Sequence, residues 1–154
     1  MRRDSRMSGV LHVLLHMAEI DGPVMSETMA KIIEINPVVI RRIMAGLREA
    51  GLVRSEKGHD GGRTIERDLA IITLRDVYQA RNSPELFGMG NRADAPGCLV
   101  EESVNAALGR AFDEARALLL DRFASVTLAQ LSADFHARMV ANGKDINLRI
   151  IHAA

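Results

Sequence analysis

Two arginines stand side by side, Arg41 and Arg42, in the run Asn36-Pro37-Val38-Val39-Ile40-Arg41-Arg42-Ile43-Met44-Ala45, and a further one, Arg63, follows a glycine-bearing loop. A guanidinium is always charged and offers its N–H donors in a planar fork, which suits phosphate oxygens and the O6/N7 edge of guanine. Catalytic chemistry has no comparable foothold. No His-Glu-x-x-His, Gly-x-Ser-x-Gly or phosphate-cradling loop is present, and "GHDGGR" lacks both the lysine and the strand-loop-helix setting of a phosphate cradle. His12 and His16, four apart, lie on one side of a helix, but with no third ligand in sight they are expected on an exposed polar face, and no metal is expected. The single cysteine, Cys98, has two readings. As an inert small residue it needs no explanation; as a thiol sensor it would draw on the N-terminus of the helix that follows it, with Glu101 and Glu102 opposing the thiolate. The chain is read as a binding protein, not an enzyme.

Composition sets the bounds within which those arginines act. A chain of 154 residues, 47% hydrophobic and 26% charged, can bury one core. It carries no apolar run long enough for a membrane span and nothing like a signal peptide, and one cysteine fits a reducing compartment, so no membrane partner and a cytoplasmic location are expected. The formal net charge is zero, yet Pro37 to Arg67 holds seven Arg or Lys against four Asp or Glu, a local excess of three positive charges. Such a concentration on one stretch is what a nucleic-acid surface needs, whatever the total.

The elements that must position the arginines follow from periodicity and punctuation. Met7, Val10, Leu11, Leu14, Leu15 and Ala18 fall on one face of a first helix, which Asp21-Gly22-Pro23 stops. Ser26 is expected to cap a short second helix to about Glu34, with Ala30 and Ile33 inward. Asn36 caps a third with Pro37 at its first position, Ile40, Ile43, Met44 and Leu47 form its buried stripe, and Gly51 ends it. Two helices joined by Glu34-Ile35-Asn36 make a helix-turn-helix. The period then changes to that of a hairpin, Leu52–Ser55 against Arg63–Ile65 across "KGHDGG", which is a wing. Thr73 caps a further helix that can pack back on the first, and Arg81 to Gly97 reads as a loop.

Helical geometry then distributes the third helix's side chains. With Ile40 pointing inward and about 100° per residue, Arg42 lies at about 200°, Val38 at about 160° and Ala45 at about 140°, while Arg41 and Arg48 lie on a flank at about 100° and 80°. One arginine between two small residues lets a helix sit deep in a major groove, Arg42 toward a base and Arg41 toward phosphate. The expected DNA-binding set is Ser26, Val38, Val39, Arg41, Arg42, Ala45 and Arg48, with Lys57, His59 and Arg63 from the wing.

From Leu99 the chain is helical to about Phe123, with Val104, Leu108, Ala111, Ala115 and Leu118 stepping by four, three, four and three beside a stripe of Phe112, Leu119 and Phe123. Two adjacent apolar stripes exceed what one helix buries against a small domain, so a second copy is expected across Val104, Leu108, Ala111, Phe112, Ala115, Leu118 and Leu119. The alternative is burial within its own subunit. Thr127 caps a last helix with Leu128, Leu131, Phe135 and Met139 inward. The fold class expected is mainly α with a small β-hairpin wing: a winged helix-turn-helix domain at 1–82, a loop at 83–98, dimerisation helices at 99–140 and a tail at 141–154 whose role no motif assigns.

The segment "NPVVIRRIMAGLREAGLVRSEKGHDGG" followed by "ITLRDVYQAR" resembles the winged-helix regulators of the Rrf2 family, the family of IscR, NsrR and CymR, and its Asn-Pro-Val-Val-Ile-Arg-Arg form is closest to the YwnA-like branch. The resemblance runs from Met7 to about Met139, including "VTLAQL" at Val126 to Leu131. It implies a homodimeric transcription factor on double-stranded DNA, usually a repressor, whose long helix makes the dimer. The cluster-binding members carry three cysteines before that helix; here the loop has only Cys98, and a cubic iron–sulfur cluster takes three or four thiolates, so no cofactor is expected. The effector, a small molecule or an oxidant, has no signature in these residues. From another functional class, a winged-helix module for protein assembly without DNA remains the alternative.

Overall fold

The computed structural model describes residues 6–58, 61–91 and 97–143. Six helices and one hairpin follow in the order α1 (Arg6–Ala18), α2 (Ser26–Ile32), α3 (Pro37–Glu49), β1 (Val53–Ser55), β2 (Arg63–Ile65), α4 (Leu74–Ala80), α5 (Leu99–Ala124) and α6 (Leu128–Ala141). The expected class, mainly α with a hairpin wing, is the one observed.

Local chemistry explains most boundaries. The α2–α3 turn is a Schellman motif: Glu34 takes a left-handed φ of 53°, and the Ile35 N–H reaches back to the Ala30 carbonyl at 3.0 Å. The Asn36 side chain then accepts from the Val38 N–H at 2.8 Å, with Pro37 at the first helical position, where its missing donor costs nothing. The far end of α3 repeats the stop with Gly51 at φ 67° and Leu52 N–H bonded to the Leu47 carbonyl at 2.9 Å. Leu47 and Leu52 are both buried, which supplies the apolar contact that accompanies this cap. Thr73–Asp76 and Thr127–Gln130 form reciprocal capping boxes at the starts of α4 and α6.

The hairpin pairs Val53 with Ile65, Arg54 with Thr64 and Ser55 with Arg63. Arg63 also exchanges both backbone hydrogen bonds with Val24, at 2.9 Å each, so the wing is tied to the segment before α2. The core gathers Val10, Val13, Leu14, Met29, Ile40, Met44, Leu47, Leu52, Val53, Ile72, Val77 and Leu128.

Three expectations are corrected here. The buried arc of α1 includes Val13 and Met17, while Leu11 and Leu15 are only half-buried. A single-stripe reading fails because α1 is touched by α4, α6 and β2 together. Ser26 does not cap α2: Met25 holds that position with no side-chain bond, and Ser26 is buried inside the first turn. The last helix, expected to group with the long helix before it, packs on the same core as α1. Leu128 is fully buried there, its N–H bonds the Ile72 carbonyl at 2.8 Å, and His136 Nε2 lies 2.9 Å from Glu19 Oε1 of α1. Its apolar stripe shows which side is inward, not what lies against it.

α5 stands apart. None of its residues is buried. Tyr78 meets Phe123 edge-on with ring centres 6.0 Å apart, and Phe87 of the preceding loop stacks on Phe112 at 6.0 Å. Those contacts fasten its C-terminal half and leave Val104, Leu108 and Leu118 exposed.

Candidate nucleic-acid interface

The outer surface of α3 carries the side chains that the helical wheel assigned to it. Arg41, Arg42 and Arg48 are exposed, as are Val38 (58%) and Val39 (38%), and Ala45 is half-buried. The buried side of the same helix is Ile40, Met44 and Leu47, so the arginines project from a helix whose opposite face is locked in the core. The structure therefore brings Val38, Arg42 and Ala45 to one outward surface, with Arg41 and Arg48 toward α2 and the wing.

Arg63, expected to reach DNA from the wing, is turned toward α2. Its guanidinium turns inward, and Nη1 donates to the Ser26 hydroxyl at 2.6 Å. Its Nε is buried without a partner. Partial burial, then the neighbouring charges of Arg48 and Arg41, hold its pKa below the ordinary arginine value, with Glu27 opposing the effect. A guanidinium does not lose its proton on such a shift; the meaning is that three cations crowd together with Glu27 as their carboxylate neighbour. Glu27 in turn lies 3.8 Å from Arg41. Ser26, expected among the DNA contacts, is buried in the structure and bonded to Arg63, a link between α2 and the wing. Sequence offered no signal for it, because the pair is separated by 37 residues and a serine before a helix looks like a cap. Ser26→Ala is expected to cost about 1.5 kcal/mol in urea unfolding, the low end for a charge-assisted bond, with the midpoint moving and the slope unchanged.

Within the wing, Arg54 is already engaged by Glu56 at 3.0 Å and Glu66 at 3.6 Å. Lys57 is exposed beside Gly58, whose φ of 134° needs glycine. His59 lies outside the described residues. Arg67 donates to the Ala50 carbonyl at 3.2 Å and so finishes the C-terminus of α3.

Of the other candidates, Cys98 is exposed at the N-cap of α5 with Glu101 and Glu102 in the first turn. His12 and His16 face each other with Nε2 atoms 2.8 Å apart. Among the described residues no group of three or more His, Cys, Asp or Glu side chains converges as a metal site. Among the described residues no helix is long and apolar enough to cross a membrane.

Comparison with known proteins bears on this surface. The family model described as Rrf2, iron-dependent transcriptional regulator, matches residues 3–134. The HTH-type transcriptional regulator YwnA of Bacillus subtilis is 30% identical over 126 residues, spanning 81% of this chain and 92% of that protein. A solved structure described as a transcriptional regulator from Lactobacillus plantarum superposes with a TM-score of 0.72 at 24% identity, covering 90% of this chain and 95% of the other. CymR, the global cysteine regulator of B. subtilis, superposes at 0.62 with 19% identity over 86% and 97%. The iron of the family description does not fit the donors present. The chain has one cysteine, exposed and at a helix cap, and no converging set of ligands among the described residues. The matched span takes in every element from α1 to the first half of α6, and the chain belongs to the Rrf2 family of transcriptional regulators.

Proposed function

We propose that this chain is a sequence-specific DNA-binding regulator of the cytoplasm, acting as a homodimeric repressor on a near-palindromic operator, with α3 as its recognition helix. The observation that carries the reading is the outward surface of α3: one exposed arginine, Arg42, between the small residues Val38 and Ala45, on a helix fixed from behind by Ile40, Met44 and Leu47. Small neighbours let the helix approach the groove floor, where the Arg42 fork can donate to guanine O6 and N7. Arg41 and Arg48, on the flank nearest the wing, are placed for phosphate, and Arg41 must exchange Glu27 for it. Two such helices related by a twofold axis read half-sites about 34–36 Å apart or a multiple of it.

Arg42→Ala is expected to weaken operator binding by about 1–3 kcal/mol per subunit and to relax base preference within each half-site. Arg41→Ala is expected to weaken operator and unrelated duplex alike and to lower the log–log salt slope by ~1 per subunit. Anisotropy titrations at several salt concentrations separate the two. If both variants bind with wild-type affinity and slope, α3 is not in the groove. If the wild-type protein binds no duplex even at low salt, the winged helix serves protein assembly instead.

A further inference from the structure

On the side of α3 away from the wing lies a cleft of about 370 Å³ that shares Val39, Arg42 and Ala45 with the surface described above and extends it toward α1 and α4. Arg6 at the start of α1, Arg42 on α3 and Arg81 at the end of α4 border it, together with Asn82 and Glu49. The cleft exists because α3 and α4 come unusually close. A Cβ on Gly46 would stand 2.4 Å from the Ala80 carbonyl oxygen, so only glycine lets the two helices bring Arg42 and Arg81 to one opening. The chain then leaves α4 through Asn82 and Ser83, consecutive non-glycine residues with φ of 58° and 46°. That conformation costs energy and persists only where its surroundings impose it.

The position of the cleft gives it meaning. At about 100° per residue, Gly46 lies at about 240° from Ile40, across the helix from Arg41 and Arg48 at about 100° and 80°. Cationic groups therefore stand on both flanks of α3: Arg41, Arg48 and Arg63 toward the wing, and Arg6 and Arg81 on the other side. A major groove about 12 Å wide is bordered by two phosphate backbones, and a helix lying in it meets one on each flank. We infer that the Arg6–Arg81 cleft binds a backbone phosphate of the strand across the groove from the one met by the wing side. Arg6 and Arg81 donate to the phosphate oxygens, and Arg42 at the rim continues to the base. The inference rests on the DNA-binding reading. Arg6 and Arg81 already interact within the chain; a guanidinium has five N–H donors, so a phosphate can be added to the partners these residues have.

The test uses the full chain with an operator duplex and a scrambled duplex over roughly 50–200 mM salt. Arg6→Ala and Arg81→Ala are each expected to weaken both duplexes by the same several-fold factor and to lower the salt slope by about 0.9 per subunit. Arg81→Lys keeps most of the slope, since a point charge still meets a phosphate. Glu49→Gln is expected to act oppositely, tightening both duplexes by removing a negative charge from a residue that borders the cleft, and a variant that merely damaged the fold would not do that. Wild-type slope and affinity in both alanine variants overturn the cleft while leaving the recognition helix standing, and so does a loss confined to the operator. Inorganic phosphate added to the free protein at constant ionic strength is expected to leave its melting temperature unchanged. A saturating rise that Arg81→Ala abolishes would make the cleft a pocket for a small phosphorylated ligand and overturn the strand assignment. Failure of the wild-type protein to bind either duplex would overturn the DNA-binding reading itself.

Discussion

Leu108→Glu combined with Ala115→Glu is expected to convert the protein to a monomer in sedimentation velocity and to abolish operator binding at concentrations that saturate the wild type. α5 runs 26 residues, and not one of them is buried within its own chain. Val104 is 49% exposed, Leu108 39% and Leu118 64%, a row of large apolar side chains that soluble proteins do not leave to water without a partner. Ala111 and Ala115, both exposed between them, leave room for a second helix to approach. A glutamate at each of Leu108 and Ala115 would bring four carboxylates into the seam of a twofold dimer, at positions that lie in water when the chain is alone. Secondary structure is therefore expected to survive. The consequence for DNA is large because a dimer joins two half-sites: a specific complex of 10⁻⁸–10⁻¹¹ M gives way to the roughly 10⁻⁴–10⁻⁶ M of non-specific binding. A dimer that persists with both glutamates in place would show that α5 is not the seam.

The parts of this molecule that could be read in the sequence are those written in neighbouring residues. Asn36-Pro37 and Gly51 delimit α3 because a cap and a left-handed stop act within a few positions, and the hairpin follows from strands that flank one glycine-bearing loop, though not its register. The outward side of α3 was legible for the same reason: periodicity alone separates Ile40 from Arg42. What could not be read depends on residues far apart in the chain. Arg63 looked like a wing cation, yet its partner Ser26 lies on α2, and nothing between them encodes the pairing. The return of α6 onto α1 through Glu19 and His136 was hidden likewise, since an amphipathic stripe specifies a buried side and not a neighbour. The cleft formed by Arg6, Arg42 and Arg81 needed three helices to be placed before its charges could be seen together.

Gly46 carries the last expectation, and it runs against helix propensity. Replacing glycine by alanine within an exposed helix ordinarily stabilises by about 1 kcal/mol, because glycine has more freedom to lose on folding. Gly109 in α5 has nothing within 4 Å of where its Cβ would stand, and it sits about 100° around the helix from Leu108, so Gly109→Ala should show that ordinary gain. Gly46→Ala should show the opposite sign. Its Cβ would stand 2.4 Å from the Ala80 carbonyl oxygen, a backbone atom at the end of α4 that has no rotamer by which to withdraw. Either α4 shifts, straining Val77 and Tyr78 in the core, or α3 tilts and takes Ile40, Met44 and Leu47 with it. Overpacking of this kind costs about 1–3 kcal/mol. The expected result is a lower urea midpoint at unchanged slope, together with weaker operator binding, because α3 carries Arg42 and the residue after Ala80 is Arg81. The comparison with Gly109→Ala isolates the contact from the propensity, since the chemical change is identical at the two sites. A stabilised Gly46→Ala protein would mean that α3 and α4 are not in backbone contact at Ala80, and with that contact gone nothing would hold Arg42 and Arg81 at one cleft.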